Sequence, residues 1–190
     1  MKSKQWRNIG IFLAVLVVIY LFTRMQEGRY RASADEVFEL EKDDVSRFVM
    51  QEGDRTIELM RYDTLWVVPG FENRKVREWR LNNFFNTVLP VERESMISDI
   101  PEKWGTYGVD DSSGRHLQVY DMGGDLAGDV VVGQSTTNWQ SSHIRMAGED
   151  EVFLTRKSIY HMISADTSFW LEPLPEPEEE KEEAEEAEEE

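Results

Sequence analysis

An uninterrupted apolar run near the N-terminus constrains this chain more than any other feature. The run covers Ile9–Thr23, reads IGIFLAVLVVIYLFT, contains no charged residue and follows three basic residues. A helix that crosses a hydrocarbon core of about 30 Å needs roughly 20 residues. Extending the run to Trp6 and Met25 reaches that length. The sequence therefore predicts a basic tail and a transmembrane helix over 1–27.

The residues after the apolar run bear on whether this helix is retained. Residues 32–34 (ASA) have the small-x-small form of a signal-peptidase site, but four charged residues separate them from the run. A cleavage site usually follows the apolar region closely, so the spacing favours an uncleaved signal anchor, with cleavage as the alternative. A lipid-anchored lipoprotein is excluded because the chain has no cysteine.

The orientation of the helix is not decided by its flanking charges alone. Three basic residues precede the run and three follow it, so the positive-inside rule is balanced. The α-amino group and the similarity to a signal sequence favour an N-terminus inside. We therefore expect a single-pass membrane protein with its N-terminus inside and its globular domain outside the cytoplasm.

The acidic charge of the chain is concentrated at its C-terminus. Residues 172–190 contain twelve glutamates and one lysine, which supply −11 of the net charge of −17 and leave −6 for 1–171. Such a composition cannot bury apolar surface, so 171–190 is predicted to be a disordered acidic tail that solubilises the chain or binds a basic partner or cations. Nucleic-acid binding is disfavoured because no basic stripe is present.

The folded domain is predicted to span 35–170, after a polar linker over 28–34. Its first part contains a short candidate strand at 37–40 and three further strands separated by Gly, Asp and Pro turns, at 46–51 (SRFVMQ), 56–61 (TIELMR) and 65–68 (LWVV). Alternation of apolar and polar residues in these segments predicts an antiparallel meander with one solvent-exposed face.

An amphipathic helix is predicted to follow this meander, from about 74 to 88. Asn73 is of a residue type preferred at helix N-caps, and Pro90 ends the segment. Its apolar residues recur at helical spacing and form one stripe, which consists of Leu81, Phe84, Phe85 and Val88. We expect the two phenylalanines to pack against the sheet.

The second half of the domain repeats this order of elements. Residues 91–97 are predicted to be extended and 100–107 to form a short helix or turn. Strands follow near 117–119, 128–133, 143–146 and 151–154, and Thr155 is a candidate cap for a helix through 163. The sequence thus predicts an α+β fold of antiparallel β-meanders packed with two main amphipathic helices, and the repeated order suggests a duplicated β-β-β-α unit.

The order of these motifs resembles the bacterial family called domain of unknown function 4340. The residues that carry the resemblance are Trp66 and Val68, the YGVD turn at 107–110, Gly133, Ile144-Arg145, and Gly148 with the VFL strand at 152–154. The similarity covers most of 45–165. It implies an N-terminal helix in the bacterial inner membrane and an association with ABC-type transporters related to gliding-motility export systems, and it supplies no catalytic residues.

Candidate catalytic or metal-binding motifs are weak throughout the chain. His116, His143 and His161 lack ligand spacing, and residues 123–128 (GGDLAG) match neither a dinucleotide-binding nor a P-loop motif. Asp110-Asp111 and the acidic run 149–151 admit a calcium interpretation, which turn chemistry explains more simply. We therefore predict no enzyme activity, no catalytic residue, no cofactor and no metal.

Trp139 is the candidate contact residue, because it stands among polar residues in the segment TTNWQSS. Such a tryptophan either anchors a partner or ligand or fills the edge of the sheet, and the second interpretation is favoured. Two functions remain open. One is a non-enzymatic accessory or scaffold protein of a membrane transport complex. The other is an envelope ligand-binding protein or enzyme acting on cell-wall glycan.

Overall fold

A computed structural model describes residues 36–174 of the chain. The predicted transmembrane helix (1–27), the linker (28–34) and the acidic tail beyond Leu174 lie outside the described residues. Within 36–174, no helix is both long and apolar enough to cross a membrane.

One antiparallel sheet of eight strands forms the described domain, in the order β3-β2-β1-β5-β6-β7-β8-β4. The strands are β1 (Val45–Glu52), β2 (Arg55–Tyr62), β3 (Leu65–Val67), β4 (Arg93–Ser98), β5 (Arg115–Asp121), β6 (Leu126–Gln134), β7 (Ser142–Met146) and β8 (Val152–Thr155). Two meanders, β1–β3 and β5–β8, join along β1 and β5, while β4 closes the far edge beside β8. The predicted α+β class and its antiparallel meanders are confirmed.

The helices are short; the first two lie between strands in the chain, and the third follows β8. They are α1 (Glu78–Asn83), which continues as one wider π-helical turn (Phe84–Val88), α2 (Trp104–Tyr107) and α3 (Thr167–Trp170). Three 3-10 turns accompany them, at Lys42–Asp44, Pro101–Lys103 and Tyr160–Met162.

The predicted start of the first helix is wrong, because the C-terminal segment pairs with its first residues. Val76 forms an antiparallel bridge with Leu171, and the Arg77 N–H donates to the Trp170 carbonyl over 2.7 Å. Extended pairing with a segment almost 100 residues away therefore replaces the first helical turn, and Asn73 caps no helix. The apolar stripe itself is confirmed, since Phe84, Phe85 and Val88 are buried.

Two further local predictions are wrong. No helix spans 155–163, because Thr155 ends β8 and its hydroxyl donates to the Lys157 carbonyl over 2.7 Å, with the Ser142 carbonyl also within 3.2 Å. Residues 37–40 form no strand. They instead place the Phe38 ring over Gly128, where an added Cβ would lie 2.4 Å from that ring. In both places a side-chain contact outweighs the local preference of the segment.

The main core lies on one face of the sheet, which we call the inner face. It is covered by the segment 36–41, by α1 with its π turn, and by 159–171. Phe48 of β1 stacks on Phe84 at 4.3 Å between ring centroids and touches Trp66 and Trp170 at 5.2 and 5.6 Å. This aromatic cluster joins the first meander to both the central helix and the C-terminal segment.

The opposite, outer face is covered over only part of its width. Residues 101–114, which we call the cover segment, lie on β6, β7 and β8 through a small cluster of Val109, Val131 and Val152. Gly133 permits this approach, because a Cβ there would lie 2.1 Å from the Tyr107 carbonyl oxygen. Beyond the cover segment, β1, β2 and β5 present partly exposed polar side chains on this face.

Candidate functional site

A polar groove runs along the outer face beside the cover segment. Its volume is about 280 Å³, and strands β1, β5, β6 and β7 supply most of its walls. We call it the outer groove. It is lined by Val49, Gln51, Asp111, His116, Gln118, Asp129, Val131, Arg145, Ala147 and Gly148. The alternation of side chains along each strand brings these residues to the same face.

Hydrogen bonds and one cation–π contact connect the polar side chains of the open face across four strands. The Gln118 amide donates to the Asp129 carboxylate over 2.9 Å and accepts from the Tyr120 hydroxyl over 3.2 Å. The Arg47 guanidinium lies 3.7 Å from the Tyr120 ring centroid and pairs with Glu58 at 3.0 Å. Each group thereby orients the next, so the groove presents donors and acceptors in defined positions.

A buried arginine closes one end of the outer groove. The Nε of Arg145 donates to the Val109 carbonyl over 3.0 Å, and its Nη2 pairs with Asp111 at 2.9 Å. Its guanidinium also lies 3.9 Å from the Trp104 ring centroid. Asp111 is 83% exposed, so its end of the ion pair with Arg145 lies largely in solvent. The Val109 carbonyl and the Trp104 ring therefore replace the water that burial removes from the Arg145 guanidinium. Arg145 thus ties the cover segment to β7.

Asp110 holds the turn that follows α2 within the cover segment. Its carboxylate accepts from the backbone N–H groups of Ser112 and Ser113, over 2.9 and 3.0 Å, and from both serine hydroxyls. These bonds, the hydroxyl ones first, hold the pKa of Asp110 well below its usual range. The turn interpretation of Asp110 accounts for this geometry. Among residues 36–174, no group of three or more His, Asp or Glu side chains is placed to hold a metal ion.

The three histidines lie in different environments. His143 is buried, and its Nδ1 lies 2.9 Å from the Tyr107 carbonyl oxygen. His116 lines the outer groove with its Nε2 3.4 Å from the Asp111 carbonyl oxygen, while His161 packs edge-on against Tyr160. The first two therefore contribute to the attachment of the cover segment.

Trp139 projects from the loop between β6 and β7, and the favoured interpretation of it as an edge plug is wrong. Its side chain is 77% exposed. Both flanking strands are interior strands of the sheet, so this region has no free edge to fill. The loop is nevertheless held firmly. The Asn138 side chain donates to the Ser141 hydroxyl and accepts from the Gln140 N–H, both over 3.0 Å, and the Asn138 backbone N–H donates to the Ser135 hydroxyl oxygen over 3.2 Å.

The outer groove was not predicted from the sequence, and Trp139 does not line it. Gln118 and Asp129 are ordinary polar positions of two strands, and only the β5–β6 register pairs them. Arg145 belongs to the Ile144-Arg145 motif of the family resemblance, but the sequence analysis assigned it no function. No protein-family model, no curated protein and no solved structure matches the chain.

Proposed function

We propose that this chain is a non-enzymatic, membrane-anchored accessory or scaffold protein whose domain, outside the cytoplasm, holds a protein partner. The partner class is the membrane subunits of an ABC-type transporter or a gliding-motility-like export system. The apolar run supports the anchor, and the resemblance to domain of unknown function 4340 supports the partner class. The anchor also confines the domain near membrane partners, so a small contact surface suffices.

The observation that carries this proposal is the presentation of Trp139. Its large ring is exposed at the tip of a loop whose backbone is fixed by Asn138 and the flanking serines. A rigid, exposed tryptophan loses little conformational entropy on docking and buries much apolar area, which is why tryptophan is enriched among interface hot spots.

The fold class leaves room for a finer proposal about its origin. The two meanders diverge from the central β1–β5 pair, each running outward through sequential hairpins. We propose that they derive from a duplicated β-β-β-α unit, in which α1 follows the first meander and α3 follows the second, which has one additional strand. The outer faces of the two copies then differ, because the cover segment packs only on the second copy.

The location of the domain is tested by a reporter fused after Glu190. We expect a reporter that works only outside the cytoplasm to be active, and the fusion to sediment with the membrane at full length. The charge-free run behind basic residues is the physical reason. Activity of a cytoplasm-dependent reporter would contradict the orientation, and release of a fragment beginning near Asp35 would contradict retention.

The role of Trp139 is tested by its replacement with alanine. We expect W139A to fold normally and to recover roughly 30-fold less permease-type subunit from gently solubilised native membranes, the loss typical of a hot-spot residue. Tyr62→Ala is the matched control, because Tyr62 is equally exposed, at 77%, but lies on the β2–β3 hairpin at the other end of the sheet. It is expected to leave recovery unchanged.

Equal recovery with wild type and W139A would remove Trp139 from the interface. Recovery of the wild-type chain alone, without any transporter subunit, would contradict the scaffold function itself. Melting temperatures of both variants are measured in parallel so that loss of folding is not mistaken for loss of binding.

The outer groove favours a second candidate function, the binding of an envelope glycan. Gln51, Gln118 and Asp129 offer amide and carboxylate groups of the kind that hydrogen-bond sugar hydroxyls. Saturable binding of cell-wall glycan fragments, weakened by Gln118→Ala and unaffected by W139A, would support this function over the scaffold.

A further inference from the structure

A cluster of basic side chains surrounds the point where the described chain ends. Residues 74–80 read RKVREWR and contain four basic residues and one acidic residue. Five other arginines of the described domain pair with carboxylates. Within 36–174, no such ion pair involves Arg74, Lys75, Arg77 or Arg80. The carboxylates of Glu72, Glu78 and Glu172 lie in the same region without pairing with them.

The hydrogen bonds of this cluster go to backbone carbonyls instead. Arg74 donates through Nε and Nη2 to the Glu172 carbonyl, over 2.9 and 2.7 Å, and Arg77 donates through Nε to the Leu171 carbonyl over 2.9 Å. A guanidinium carries five N–H donors, so most of these donors stay available to a ligand. Because backbone carbonyls carry no net charge, these hydrogen bonds do not neutralise the positive charges of Arg74 and Arg77.

Arg80 adds a partly desolvated charge beside them. Its guanidinium lies between the rings of Trp79 and Phe169, at 3.9 and 3.7 Å from their centroids, and its Nε has no hydrogen-bond partner among the described residues. Burial and, after it, the charge of Arg77 lower the pKa of Arg80. An anion at this position would therefore relieve an existing electrostatic cost.

A cleft of about 640 Å³ opens beside the cluster. Its walls are residues 73–75, Arg77 and Trp79 on one side, and Glu172 and Pro173 on the other. We call it the basic cleft. The Val76–Leu171 bridge fixes the direction of the C-terminal segment along its wall. The chain therefore leaves the described domain directly at this cleft.

We propose that the basic cleft is the docking site for the chain's own acidic tail, residues 175–190, which binds there as an acidic peptide. The tail contains eleven glutamates and one lysine, a side-chain charge of −10, and its first glutamate is Glu176. Glu176 lies four positions after Glu172, whose carbonyl accepts from Arg74, so the Cα atoms of the two glutamates are at most about 14 Å apart.

Only a few residues connect the acidic tail to the basic cleft, so weak contacts are sufficient to hold the tail there. A tail attached at the rim of its own site has an effective concentration of the order of millimolar. Arginine binds carboxylates through two parallel hydrogen bonds, and any of the eleven glutamates of the tail can supply the carboxylate. The predicted disorder of the tail is thus compatible with docking, which requires charge and not a folded core.

Spin labels at two introduced cysteines test this proposal in the full-length, detergent-solubilised chain. The natural chain has no cysteine, so Ala184→Cys in the tail and Asn83→Cys on α1 provide unique labelling sites. We expect a population of short distances that falls at least about threefold between about 0.02 and 0.5 M NaCl, as the Debye length shrinks from about 20 to about 4 Å.

Three charge variants complete the test. Replacing Glu178, Glu179 and Glu180 by glutamine leaves the domain untouched and is expected to reduce the short distances at low salt by about twofold or more. Lys75→Gln is also expected to reduce the population of short distances. This substitution keeps Arg74 and Arg77, which bind the backbone carbonyls of the C-terminal segment. Lys157→Gln, an exposed lysine outside the cleft, is the matched control and is expected to change nothing.

A broad distance distribution that ignores both salt and the glutamine substitutions would overturn the proposal. A second result would also overturn it. In that result, vesicles of anionic phosphatidylglycerol bind the wild-type chain and the triple glutamate-to-glutamine variant equally well, and Lys75→Gln weakens this binding. In that outcome the cleft is a lipid contact, and the tail does not compete for it.

Discussion

Replacing Trp170 by alanine is expected to lower the free energy of unfolding by about 3–5 kcal/mol, the range for large aromatic residues removed from a core. Trp170 is fully buried and contacts Phe48, Phe84 and Phe169, with ring centroids 5.6, 6.2 and 5.1 Å away. Its indole N–H also donates to the Ser164 carbonyl over 2.7 Å, and the substitution leaves that carbonyl without this donor.

Urea denaturation of the full-length chain, followed by near-UV circular dichroism, measures this change. Trp139→Ala is the control within the same residue type, and we expect its unfolding free energy to stay within about 0.5 kcal/mol of wild type because Trp139 is exposed. A loss below about 1 kcal/mol for W170A would mean that the C-terminal segment contributes little to the core.

Replacing Gly133 by alanine is expected to cost about 3 kcal/mol, at the upper end for overpacked sites. The new Cβ would lie 2.1 Å from the Tyr107 carbonyl oxygen and 2.8 Å from that of Gly108. Both contacts are backbone atoms, which cannot rotate away, so the cover segment must move off the sheet. The hydrogen bond between His143 and the Tyr107 carbonyl would be lost with this movement.

Gly105→Ala is the matched control for this second substitution. It lies in α2 of the same segment, and its added Cβ would meet nothing closer than the Asp110 carboxylate at 3.6 Å. We expect a neutral or slightly stabilising effect, because alanine is favoured over glycine in a helix. Hydrogen exchange should accelerate across 104–114 in G133A only. Unchanged exchange there would show that the strand yields instead of the cover segment.

The comparison of prediction and structure separates local from distant causes. The strands near 46–51, 56–61, 128–133 and 143–146 were predicted correctly because their alternation and turn residues act over neighbouring positions. The helical start at Arg74 was wrong because a segment far along the chain competes for the same backbone groups. Periodicity within one window contains no information about such a competitor.

The candidate sites show the same division. Trp139 was identifiable as an unusual residue among polar neighbours, yet its exposure depends on where β6 and β7 lie within the sheet. The outer groove needed the β5–β6 register to bring Gln118 to Asp129, and the basic cleft needed the C-terminal segment to return to Arg74. None of these juxtapositions leaves a local pattern, because each joins residues through pairing or packing.

Composition and short-range periodicity account for the apolar run, the acidic tail, the antiparallel meanders and the apolar stripe of α1. Tertiary structure alone decided that β4 lies beside β8, that the cover segment lies on Gly133, and that a basic cleft opens where the acidic tail begins. These features depend on which distant surfaces fit and pair most favourably, a property of the whole folded chain.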